Sequence, residues 1–157
     1  EKRGLWMRKV LVLLLSMMLL GIVGCNVESG MDIPDLEVMY KGEVIEVMKG
    51  GYNWTTKSGL WGEESVIVDE ASPEDIAKGM EGNRVPVGAK LDLVFSKEPI
   101  SFKVVNWGEP GECELTAAPN TLTIPEEEGT YIIEVIGEWK EGQVSCTFKI
   151  SGHKNKD

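Results

Sequence analysis

The chain has 157 residues, 42% of them hydrophobic, with 26 acidic against 16 basic side chains and a formal net charge of −10. A charge of that sign excludes a nucleic-acid partner, whose binding depends on Lys and Arg neutralising phosphates. The one histidine, His153, sits in a polar tail, which leaves no base for a Ser–His or Cys–His nucleophile and no His–Cys set for zinc.

Arg8 and Lys9 after Met7 form a positive segment, and Val10 to Val23 follows as an apolar run broken by Ser16 and Gly21. A membrane span takes about 20 apolar residues, so this shorter run fits a cleavable secretory signal better. It ends in Ile22-Val23-Gly24-Cys25, which resembles the lipobox of bacterial lipoproteins, with Ile22 where leucine is commoner. The resemblance implies cleavage between Gly24 and Cys25, diacylglyceryl attachment at the Cys25 sulfur, and an extracytoplasmic address anchored to the bacterial cell membrane. Two acyl chains hold where one is marginal. Residues 1–24 are thus expected to be a signal peptide, with 1–6 an extension ahead of Met7, and residues 25–33 the lipidated cysteine and a flexible tether. Removing 1–24 takes away four basic and one acidic side chain, leaving 12 and 25, a net −13. Such a surface does not dock on anionic headgroups, so the lipid must do the anchoring.

From Pro34 onward the apolar residues recur with the period of strands. Leu36, Val38 and Tyr40 alternate, Lys41-Gly42-Glu43 turns, and Val44 to Val47 returns as the second arm of a hairpin. Gly50-Gly51 breaks the pattern before a strand over 52–56, and Val66-Ile67-Val68 centres another. One helical signal interrupts. Ser72-Pro73-Glu74-Asp75 offers an N-cap, a proline at the first helical position and acids in the first turn, which predicts a helix of about two turns. Alternation then resumes through Leu91, Leu93 and Phe95, through Ile100, Phe102 and Val104, and through Cys113 and Leu115. Leu122 and Ile124 form a short segment before Tyr131, Ile133, Val135 and Trp139. Lys140-Glu141-Gly142 turns that strand into Val144, Cys146, Phe148 and Ile150. Short strands at this spacing with one short helix predict an all-β sandwich over 34–151, followed by a polar tail at 152–157.

Glu126-Glu127-Glu128-Gly129-Thr130-Tyr131 resembles the tyrosine corner of immunoglobulin-like domains. The resemblance implies an immunoglobulin-like β-sandwich in which the Tyr131 hydroxyl bonds back to the upstream backbone. Ile133 stands where true immunoglobulin domains carry a cysteine, so their inter-sheet cystine is missing from its usual place. Gly129-x-Tyr131, Trp139-x-x-Gly142 and Phe148 are also similar to the terminal β-module of uncharacterised Gram-positive lipoproteins and membrane-tethered regulators.

With Cys25 taken by lipid, Cys113 and Cys146 are the one internal cysteine pair. An exported protein permits a disulfide, and a bridge is expected here, with two buried free thiols as the alternative. Carboxylates gather at Glu63-Glu64, Asp69-Glu70, Glu109 with Glu112, and Glu126 to Glu128, but none has the oxygen spacing of a calcium loop. No metal or cofactor is assigned. Tyr52, Trp54 and Trp61 flank a glycine-rich connection, with Tyr52 and Trp54 on one face of a strand. They form either a platform for a sugar ring or an apolar partner side chain, or a packed hairpin end. The expected function is that of a non-enzymatic cell-surface lipoprotein, a protein-interaction or sensor module with an envelope protein as partner. The alternative is a carbohydrate or cell-wall binding module that uses those aromatics on a glycan.

Overall fold

The computed structural model describes residues 31–58, 62–109 and 111–154. The compact unit begins at Asp32. Gly24, Cys25, the signal segment and Trp61 lie outside the described residues.

Strand β1 (Leu36–Tyr40) returns as β2 (Glu43–Ile45) through Lys41 and Gly42, at φ 51° and 84°. Two consecutive positive φ values are what a two-residue hairpin turn requires, and glycine supplies one of them without steric cost. The long hairpin of β3 (Val47–Ser58) and β4 (Gly62–Val68) follows, then helix α1 (Pro73–Ala77). Next come β5 (Asn83–Pro86), β6 (Lys90–Phe95), β7 (Ser101–Asn106), β8 (Cys113–Leu115), β9 (Ala117–Ala118) and β10 (Thr121–Thr123). The chain closes with the hairpin of β11 (Gly129–Trp139) and β12 (Gly142–His153).

These strands make a five-stranded sheet ordered β2-β1-β6-β10-β9 and a seven-stranded sheet ordered β4-β3-β12-β11-β7-β8. β5 joins the second sheet beside the end of β12, in the one parallel pairing among the described residues. The architecture is the expected all-β sandwich with one short helix. Its core interleaves Val38, Leu91, Leu93 and Leu122 from the first sheet with Val104, Tyr131, Ile133, Phe148 and Ile150 from the second, all fully buried. Burying one such side chain stabilises the fold by roughly 1.5–3 kcal/mol. The Tyr131 hydroxyl donates to the Glu127 carbonyl at 2.6 Å, the contact implied by the corner motif. Burial, and then the nearby Glu127 charge, hold its ionisation above the ordinary tyrosine value.

Two expectations are corrected. Gly50-Gly51 does not end a strand. β3 runs through the pair, and the ladder with β12 shifts register between Val144 and Cys146, so the glycines sit in a β-bulge. Nor are Cys113 and Cys146 bridged, both being free thiols. Cys113 is exposed on edge strand β8, Cys146 is buried on β12, and β7 and β11 lie between them. With strands about 4.8 Å apart, three spacings come to about 14 Å, whereas a bridge requires Cα atoms within about 7 Å.

The helix forms where its caps are written. The Ser72 hydroxyl accepts from the Asp75 amide at 3.3 Å, and Pro73 opens the first turn. At the other end the Lys149 ammonium, reaching up from β12, donates to the Ala77 carbonyl at 3.2 Å and the Met80 carbonyl at 3.0 Å. Ala77 and Met80 are buried, so α1 covers part of the outer face of the seven-stranded sheet.

Candidate functional site

Along β11, odd-numbered residues face the core and even-numbered ones the outer face that α1 partly covers. On that outer face Glu134 is only 9% exposed. Its Oε1 accepts from the Ser145 hydroxyl at 2.6 Å and its Oε2 from the Trp107 indole N–H at 2.9 Å. An indole nitrogen only donates, so it fixes Oε2 as an acceptor. Both partners are neutral, and among the described residues no cation pairs with Glu134.

Glu134 and Ser145 form the floor of a groove of about 370 Å³ together with the Gly50-Gly51 bulge. One wall is β3 and β4 at Tyr52, Asn53, Ile67 and Val68, and the other is Asp69 to Pro73 with Ile76 of α1. Gly50 keeps the floor open, since a Cβ there would stand 3.1 Å from the Ser145 hydroxyl. Asp69, Glu70 and Glu134 all line the groove, and no Lys, Arg or His does among the described residues. Its field is therefore negative.

The other buried polar groups differ in kind. Asn106 is consumed locally: its amide nitrogen donates to the carbonyls of Gly108, Glu109 and Gly111, and its oxygen accepts from the Gly108 amide, so it organises a turn. Thr147, directly opposite Glu134 in the β11–β12 ladder, is fully buried and its hydroxyl has no partner among the described residues. A second hollow, of about 310 Å³ between β7 and β8, contains Lys103 and Glu114, both exposed. Among the described residues no three His, Cys, Asp or Glu side chains stand close enough to share a metal ion.

Of the two readings of the aromatics, Trp54 takes the packed hairpin end. Trp54 is 2% exposed, its ring edge-to-face with Trp139 at 5.8 Å between centroids and the Lys97 ammonium 5.5 Å from its own centroid. A ring closed on both sides presents no face to a sugar. Tyr52 is half-buried and forms part of the groove wall, while Trp61 lies outside the described residues. Glu134 was hidden in the sequence because it alternates with core residues, which reads as a solvent position. The signal that could have found it is Ile132 and Ile136, apolar side chains on the same supposedly wet face.

Compared with protein-family models, with curated proteins and with solved structures, the chain matches none of them.

Proposed function

We propose that this chain is a non-enzymatic interaction or sensor module, held outside the cytoplasmic membrane by lipid on Cys25, that recruits an envelope protein. The observation that carries the interaction part is the free edge of β4. Among the described residues this seven-residue strand pairs with β3 alone, and its Ile67 is 74% exposed. An exposed strand edge is a template for pairing with another chain, and natural proteins usually blunt it.

The strand order supports an immunoglobulin-like framework. If β1, β6, β7, β8, β9, β10, β11 and β12 are lettered A, B, C, C′, D, E, F and G, the sheets read A-B-E-D and G-F-C-C′. That is the arrangement of immunoglobulin sandwiches. On this reading, β2 to β5 and α1 are an insertion between the first two framework strands, and it is this insertion that builds the groove and the β4 edge.

Two experiments test the proposal. Crosslinking the protein in its native envelope, with mass spectrometry of what is captured, should return one reproducible protein partner; wall or glycan fragments alone would overturn the reading. Cys25→Ser should release the chain from membranes or leave an unprocessed precursor. A mature, membrane-bound C25S protein would remove the lipid anchor from the proposal.

A further inference from the structure

We infer that the edge of β4 receives an extended segment of the partner protein whose centre is apolar and whose two ends carry lysine or arginine. This inference rests on the interaction reading above and gives the partner a chemistry.

The charge pattern along this edge is symmetric. Glu63-Glu64 stands at one end of β4, Asp69-Glu70 follows the other, and Val66-Ile67-Val68 lies between them. All four acids are exposed, and none belongs to an ion pair among the described residues. Lys57, opposite Glu63 on β3, is the one basic side chain in the β3–β4 ladder. No Lys, Arg or His occurs between residues 58 and 77. The stretch from 63 to 70 therefore offers an apolar centre between two negative ends, whichever way a partner strand runs.

The same pattern selects against a second copy of the chain. A two-fold antiparallel pairing with Ile67 opposite Ile67 sets Glu64 opposite Glu70 twice. Parallel pairing in register sets each acid beside its own copy. Like charges directly opposite are destabilising, and charged edges are one way that natural sheets avoid pairing with themselves. A basic-ended segment reverses the sign at each of these positions. Lying about 4.8 Å from β4, it sets its end side chains directly across from the acids, within cross-strand reach. Its apolar centre covers Ile67, which is 74% exposed. Main-chain bonds supply affinity, and the charges at the two ends supply specificity.

The test titrates the 15N-labelled full-length chain with an acetylated and amidated Lys-Lys-Val-Thr-Val-Thr-Lys-Lys peptide. Two analogues carry glutamine or glutamate at the lysine positions. The lysine peptide should move the backbone amides of Val66, Ile67 and Val68. Those of Cys113 and Glu114, on edge strand β8 at the far side of the sheet, should stay in place. Glutamine should weaken binding about 10-fold or more, because every cross-strand charge pair is lost, and glutamate should abolish it. Two lysine peptides N-methylated at alternate residues separate pairing from charge. In one the methyl groups face β4 and binding is lost; in the other they face solvent and binding remains. The variant E63K/E64K/D69K/E70K should prefer the glutamate peptide, and the peptide comparisons decide even if it does not fold. Equal binding of the three end sequences, equal behaviour of the two methylated peptides, or no movement of the β4 amides would overturn the inference. So would self-association of the parent through those amides in sedimentation, which would put a second copy on the edge. If the four-lysine variant crosslinks the same envelope partner as the parent, the edge assignment fails while the interaction reading stands. If neither protein captures a partner, both fail.

Discussion

Trp54 and Trp139 meet edge to face across the β3–β12–β11 side of the sandwich, with ring centroids 5.8 Å apart. Each is nearly closed to solvent, and the Trp139 indole N–H is satisfied by the Lys97 carbonyl at 3.0 Å. The pair is therefore a structural joint between the β3–β4 hairpin and the closing hairpin.

Trp54→Ala accordingly destabilises the domain by about 3–5 kcal/mol, the range for deleting a buried aromatic. Urea denaturation of the full-length chain followed by far-UV circular dichroism measures this. A loss below about 1 kcal/mol would mean that Trp54 is a surface residue after all.

Thr147→Val should act in the opposite direction. The side chains have nearly the same shape, and valine removes a buried hydroxyl that has no hydrogen-bond partner among the described residues. Leaving such a group unpaired costs about 1–3 kcal/mol, so the variant should gain stability of that order in the same denaturation assay. An equal loss would show that the hydroxyl is satisfied in solution.

The two described cysteines should differ in reactivity. Cys113, exposed on an edge strand, reacts with iodoacetamide in the native protein, whereas Cys146 reacts only after denaturation. Peptide mapping by mass spectrometry assigns each label. Recovery of a peptide joining Cys113 to Cys146 would contradict the strand order.

Cys146 also sets an alkaline limit. Burial raises its ionisation from 9.0 to about 11. Below pH 9 the thiol is protonated in both folded and unfolded chains, and its contribution is complete. Between about 9 and 11 only the unfolded chain gives up the proton, so stability falls with rising pH, by up to about 3 kcal/mol. Tyr131, raised in the same direction, extends the decline above its ordinary range. Cys146→Ala should flatten the stability profile between pH 9 and 11; an unchanged slope would assign the loss elsewhere.

Most of the framework was legible because its strands bury one face only. Leu91 and Leu93, or Val144, Cys146, Phe148 and Ile150, announce a strand by period alone, and Ser72-Pro73 announces a helix by its caps. What escaped depends on relations between strands. β5 has just four residues and its parallel partner is 67 residues away, so nothing local marks it. The Gly50-Gly51 bulge resembles a break until β12 is seen to pair on either side of it. Glu134 looks solvated until α1 is placed above the sheet, and the cysteine pair looks bridgeable until β7 and β11 are counted between its members. Composition can suggest an acidic surface, but only topology reveals which carboxylate is enclosed.

The position of β12 has a consequence for the order of assembly. Among the described residues the strand latest in the chain is the one in the middle: β3, β5 and β11 all border it. A chain still emerging from a ribosome or a translocation pore holds the β3–β4 hairpin, the helix and β5 with nothing to lean on. Non-local pairings of this kind fold slowly, since a long loop must close before they form. A nascent chain that stops before residue 142 lacks the strand on which β3, β5 and β11 converge, so the seven-stranded sheet is completed only once β12 has emerged.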